Sequence, residues 1–93
     1  MATFILLSTL TDDGAQTLIS EPERIQEVNA ELARTGVRVI SQFAVLGQFD
    51  FVNIVEAPDN MAIARASAEL AARGSVRILT LPAIPIDEFI DSI

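Results

Sequence analysis

The feature that most constrains the fold is a short strand near the N-terminus that is apolar on both faces. A strand with one face in water alternates apolar and polar residues. In the segment TFILLST, at residues 3–9, Phe4 and Leu6 point to one side while Ile5 and Leu7 point to the other. This strand is therefore predicted to lie in the centre of a sheet with both faces covered.

A second segment repeats this pattern. In FDFVNIVE, at residues 49–56, Val52 and Ile54 share one side, and Phe51 and Val55 share the other. Two central strands of this kind predict a sheet in which neither face is left in solvent.

The remaining segments complete an ordered set of strands and helices. Strands are predicted over residues 3–9, 37–46, 49–56 and 75–81. Helical periodicity runs from Ala15 to Arg34 and from Asp59 to Arg73, and a glycine follows each stretch. The order βαββαβ, with right-handed crossovers, predicts an α+β fold of the ferredoxin-like type: a four-stranded antiparallel sheet of order 4-1-3-2 with two helices on one face.

Local signals refine these boundaries. Pro22 is expected to break the first helix or to restart it, with Ser20 as a second N-cap and Glu23 completing a capping box. Pro58 and Asp59 are expected to end the third strand and to cap the second helix.

Two helices can cover only one face of the sheet, so the other face needs a partner. Four strands spaced about 4.8 Å apart and about 20 Å long present a face of about 400 Å². A bare apolar patch of that size is at the upper end for soluble monomers. The simplest cover is a second copy of the same sheet, which predicts a homodimer with two-fold symmetry.

Composition excludes several classes of function. The 93 residues form a single domain and include no cysteine, histidine, tryptophan or tyrosine, so no metal site or cofactor is expected. The net charge of −7 disfavours nucleic acid and anionic membranes as partners. With no long apolar run and no basic segment before Asp12, the expected location is cytoplasmic.

The sequence resembles the GYD-domain proteins of bacteria and archaea, which are named for a Gly-x-Tyr-Asp motif. Here the motif is Gly47-Gln48-Phe49-Asp50, and similarity continues through TFILLSTLT, PERIQEVN, ISQFAVLG and RILTLPAIPIDEF. The resemblance implies a dimeric α/β barrel and leaves activity open, since the family has no established one. Phe49 stands where the family has tyrosine, which rules out chemistry by a phenolic hydroxyl here and favours a packing role for the ring.

Five residues are candidate site residues. Asp50 and Asn53 are candidate catalytic residues, and Ser41, Gln42 and Phe49 are candidate ligand-binding residues. The competing interpretation is structural and is favoured for each. A carboxylate beside a turn commonly accepts backbone N–H bonds, and buried amides commonly satisfy one another.

The C-terminal segment over residues 82–93 is predicted to be a docking tail. It carries Ile84, Ile86, Phe89, Ile90 and Ile93. Such a tail is expected to pack on its own domain or on a neighbouring subunit.

Two functions fit this sequence. The first is a non-enzymatic, self-associating domain that binds a small apolar molecule or a protein partner. The alternative is a cofactor-free oxygenase or isomerase of the dimeric α/β-barrel type, with Asp50 as base and Asn53 as oxyanion donor.

Overall fold

A computed structural model describes residues 1–93 and shows an α+β fold with one four-stranded antiparallel sheet. The strands are β1 (Ala2–Leu10), β2 (Arg38–Ala44), β3 (Phe51–Ala57) and β4 (Val76–Ala83). The helices are α1 (Asp12–Ser20), α2 (Arg24–Arg34), α3 (Asn60–Ala72) and α4 (Ile86–Asp91).

The sheet has the order β2-β3-β1-β4, which is 4-1-3-2 counted from the opposite edge. The two strands that are apolar on both faces, β1 and β3, are therefore central. Arg38 and Arg77 lie on the two edge strands, too far apart to act together within one chain.

One face of the sheet, here called the inner face, carries the core. Phe4 and Leu6 of β1 and Val55 of β3 are buried there, and α1, α2 and α3 pack against the strands. Ile63 of α3 and Leu32 of α2 complete the same cluster. The helices thus cover the side of β1 that carries Phe4 and Leu6.

The opposite side, here called the outer face, has no helix over it. Strand register places the side chains of this face in rows across the sheet, and two of these rows are mainly apolar. One row is Phe43, Val52, Leu7 and Leu79, and the next is Ser41, Ile54, Ile5 and Leu81. Phe43, Leu79 and Leu81, on the edge strands, are exposed, and the central members are half-buried.

The helical region between β1 and β2 forms two helices, and α4 follows the last strand, so the chain has four helices where two were predicted. The break falls at Pro22, as expected from its missing N–H. The predicted capping box was wrong. The Ser20 hydroxyl donates back to the carbonyl oxygen of Gln16 at 2.9 Å, and the Glu23 side chain caps nothing. The cap at Asp59 is confirmed, because its carboxylate accepts from the Ala62 N–H at 2.9 Å.

The connection between β2 and β3 is longer than predicted. The strands end at Ala44 and begin at Phe51, so the Gly47-Gln48 turn lies inside a loop over residues 45–50. Gly47 has a φ of 116°, a backbone conformation that would be strained in any residue with a side chain.

The last strand continues past the first proline of the C-terminal segment. Strand β4 runs through Pro82 to Ala83, which an edge strand tolerates because its outer N–H groups pair with nothing. Helix α4 follows Pro85, and every residue from Ile84 to Ile93 is exposed. None of the helices is long and apolar enough to cross a membrane.

The substitution Gly14→Ala tests the closest approach in this fold. In an ordinary helix it would stabilise the protein by about 1 kcal/mol. Here a β-carbon would lie 2.0 Å from the Ser75 carbonyl oxygen, so we expect a loss of about 1–3 kcal/mol in the free energy of unfolding. Urea denaturation measures it, with the exposed Gln16→Ala on the same helix as the near-neutral control. A gain in stability would show that α1 does not sit this close to Ser75.

Candidate functional site

An open cleft of about 400 Å³ lies between the inner face and helices α1 and α2. Most of its lining is apolar. Leu6 lies at the sheet, and Leu18, Ile25 and Val28 line it from the two helices.

Asn53 lies on the sheet side of the cleft and is 9% exposed. Its position on β3 between Val52 and Ile54 turns the amide toward the helices, since alternate residues of a strand share a face. The buried Oδ1 atom accepts no hydrogen bond. Buried polar atoms nearly always have a partner, so this oxygen is an unusual feature of the site.

The three residues predicted to bind a ligand do not lie together in the structure. Gln42 is the register partner of Asn53 and lines the cleft, where its Oε1 accepts from Asn29 Nδ2 at 2.8 Å. Ser41 pairs with Ile54 and lies on the outer face, because a bulge follows Val39. Phe49 is half-buried in the β2–β3 loop, away from the cleft lining.

Asp50 ties the β2–β3 loop to the end of β1. Its carboxylate accepts from the Leu10 N–H at 2.8 Å, and its own N–H donates to the Ser8 carbonyl oxygen at 2.8 Å. Its carbonyl oxygen accepts from the Val45 N–H at 2.9 Å. The side chain is not part of the cleft lining, so the structure does not bring Asp50 and Asn53 together at one site.

Charged residues meet at the edge of the cleft. Arg24 contacts Glu27 at 2.9 Å and Glu31 at 3.2 Å, and Arg73, beyond the end of α3, also contacts Glu31. The hydrogen bond to Glu27, followed by that to Glu31, raises the pKa of Arg24. The hydrogen bond from Arg73 is the main cause that holds the pKa of Glu31 below its ordinary value.

This charge group was not among the candidate site residues predicted from the sequence. The spacing of Arg24, Glu27 and Glu31 at i, i+3 and i+7 was a usable signal for their pairing on one side of the helix. The contribution of Arg73 was not visible, because it depends on how the end of α3 meets α2.

The cleft can contact another molecule through three kinds of group. The cleft presents apolar side chains, amides and ion-paired arginines. Nowhere in the chain do three or more carboxylates cluster closely enough to hold a metal ion.

These features define a class of protein: a small α+β domain with an open sheet face and an apolar cleft. The GYD domain matches residues 4–93, and the chain belongs to the GYD-domain family. The resemblance carried by the Gly47-Gln48-Phe49-Asp50 motif is thus confirmed.

The chain is also similar to proteins of Thermus thermophilus. It is 63% identical over 91 residues to the glutamine synthetase and cystathionine beta-lyase binding protein of that organism, with 97% of this chain and 96% of that protein aligned. The crystal structure of TTHA0845, from the same species, superposes with a TM-score of 0.59 at 21% identity, covering 91% of this chain and 95% of the other. The second similarity is one of fold.

The ion pairs of Glu31 predict a dependence of stability on pH. The pKa of Glu31 is held below its ordinary value of 4.5, so its stabilising effect is present above that value and lost as the pH falls through the lower folded-state pKa. We expect Glu31→Gln to lower the melting temperature at about pH 7 and to have a smaller effect at about pH 3, because the stabilising effect is lost as the pH falls through the folded-state pKa.

The matched control is Glu69→Gln, which removes the same charge from an exposed glutamate of α3 that forms no ion pair. Equal effects of the two substitutions at both pH values would contradict the prediction.

Proposed function

We propose that this protein is a non-catalytic binding protein of the cytoplasm that docks on metabolic enzymes. Glutamine synthetase and cystathionine β-lyase are the first partners to test. The observation that carries the proposal is the 63% identity, over nearly the full length of both chains, to a protein named for binding those two enzymes.

The arrangement of groups in the chain supports binding over catalysis. The enzymatic alternative needs Asp50 as a base beside Asn53. The Asp50 carboxylate instead accepts the Leu10 N–H, and only Asn53 lines the cleft. No geometric observation favours an oxygenase or isomerase.

Self-association is part of the proposal. The fold is taken as ferredoxin-like, and two copies would pair their outer faces into a dimeric α/β barrel. Phe43 and Leu79, exposed on the two edge strands, would be covered together with the half-buried Ile5, Leu7 and Ile54. Burial of this surface contributes about 25 cal/mol per Å² before the cost of association.

The C-terminal tail makes such a dimer large enough. Two outer faces alone would bury about 800 Å² in total, and stable interfaces bury at least about 1,000 Å². Phe89, Ile90 and Ile93 are exposed and belong to no core in the single chain. We therefore propose that the docking tail predicted at residues 82–93, of which residues 84–93 follow β4, packs on the second copy.

Direct binding tests the central proposal. Surface plasmon resonance with immobilised protein should show saturable binding of purified glutamine synthetase and cystathionine β-lyase from the same organism. This chain carries a charge of −7, so non-specific attraction between charges can add to the binding signal at low salt. Specific binding should persist at about 0.5 M salt, where that attraction is screened. Absence of binding by both enzymes would overturn the proposal.

The oligomeric state tests the outer face. Leu79→Lys is expected to weaken the dimer at least about a hundredfold, since an unpaired buried charge costs several kcal/mol. Analytical ultracentrifugation measures the change. The control is Ile19→Lys, which places the same charge at an 83% exposed position on α1. A monomeric wild type, or equal effects of both substitutions, would contradict the dimer.

Removal of residues 84–93 separates the roles of the tail. Loss of the dimer together with retained binding of the enzymes is the expected result. Loss of enzyme binding from an intact dimer would instead place the tail in the enzyme interface.

A further inference from the structure

Helix α4 has one apolar side and one acidic side, and both are exposed. Ile86, Phe89 and Ile90 follow one another at i, i+3 and i+4, which places them along one side of the helix. The other side carries the three acids of the helix, Asp87, Glu88 and Asp91. None of these acids forms an ion pair within the chain. A surface that fits this helix therefore needs an apolar group beside positive charge.

The start of strand β2 offers both kinds of group. Ile40 is the extra residue of the β2 bulge and is 46% exposed. Arg34, at the end of α2, is exposed and forms no ion pair, and the side chain of Arg38 is 70% exposed although it forms one. Residues 32–49 contain these two arginines and no acid, in a chain whose net charge is −7. Arg34, Arg38 and Ile40 are here called the acceptor surface.

The acceptor surface and the end of β4 lie at the same end of the sheet, on opposite edges. Arg38 is the register partner of Glu56, and Glu56 is that of Thr3. Thr3 in turn pairs with Ala83, where β4 ends. The two edges are three strand spacings, or about 14 Å, apart. If two outer faces meet about a two-fold axis parallel to the strands, β4 of one copy lies over β2 of the other, and α4 begins beside the other copy's acceptor surface.

We infer that α4 of each chain packs on the acceptor surface of the second copy, with its apolar side against Ile40 and its acids facing Arg34 and Arg38. The inference rests on the dimer of the proposed function and specifies how its two sheets are oriented, with β4 of each copy over β2 of the other. Two-fold symmetry repeats the contact, so each dimer contains two of them. Together they supply the interface area that two outer faces alone lack.

Cross-linking between chains tests the contact, because the protein has no cysteine of its own. Tagged Ile40→Cys is mixed with untagged Ile90→Cys, and after subunit exchange the thiols are joined with bismaleimidoethane. The tag separates the hybrid product from same-variant products on a denaturing gel. The control pair is tagged Ile19→Cys with Ile90→Cys, since Ile19 is 83% exposed on α1. We expect at least about tenfold more hybrid product from the first pair, because a short linker joins only sites that it can span.

A charge exchange tests the arginine side of the contact. Arg34→Glu in the Ile40→Cys chain should lower the yield of hybrid product at least about threefold at low salt, because it places like charges together. Asp87→Arg with Glu88→Arg in the Ile90→Cys chain should restore the yield. Both changes should have smaller effects at about 0.5 M salt, where the charges are screened. Circular dichroism checks the fold of each variant.

Three results would overturn the inference, and they separate it from the proposed function. If ultracentrifugation shows a dimeric wild type but the two cysteine pairs give equal yields of hybrid product, this contact alone is wrong. If the arginine substitutions in the tail fail to restore the yield, the acids of α4 do not face Arg34. A monomeric wild type would overturn the dimer of the proposed function together with this inference. Enzyme binding is measured separately and can hold in each case.

Discussion

The packing of helices against one side of β1 is the interaction on which the rest of the structure depends. Strand β1 is hydrogen-bonded to both β3 and β4, so the burial of Phe4 and Leu6 determines the facing of the whole sheet. Once those two side chains point toward the helices, Ile5 and Leu7 must point away. The same choice sends Asn53 of β3 into the cleft, because it is the register partner of Leu6.

The two faces of the sheet therefore have different surroundings. The inner face packs in the core and, beside the core, lines a cleft whose wall includes the amide of Asn53. The outer face has no helix over it and leaves Phe43, Leu79 and Leu81 exposed. The family motif contributes to neither face of the sheet, because the Asp50 carboxylate accepts a hydrogen bond from the backbone N–H of Leu10. In this chain the motif holds the β2–β3 loop against the end of β1, and Phe49 fits that structural role without a hydroxyl.

Much of the fold was predictable because it depends on patterns within short segments. Alternating or continuous apolar runs marked the strands, and turn and cap residues such as Asp59 marked their ends. The capping box at Ser20 failed because a serine at a helix end can also donate to the preceding turn. The contact of Glu31 with Arg73 joins residues far apart in sequence, and the unpaired state of Asn53 depends on the surrounding packing. No local pattern encodes such features.

The edges of the sheet have a consequence for the form of any assembly. Strand β4 includes Pro82, which has no N–H to donate, and strand β2 has a bulge after Val39. Neither edge presents an unbroken ladder to another strand, so adding sheets side by side into a filament is disfavoured. In the dimer proposed above, the outer face of each chain would be used once and neither sheet edge would recruit a further copy. Such a particle would be closed, and its size would not grow as the protein concentration rises.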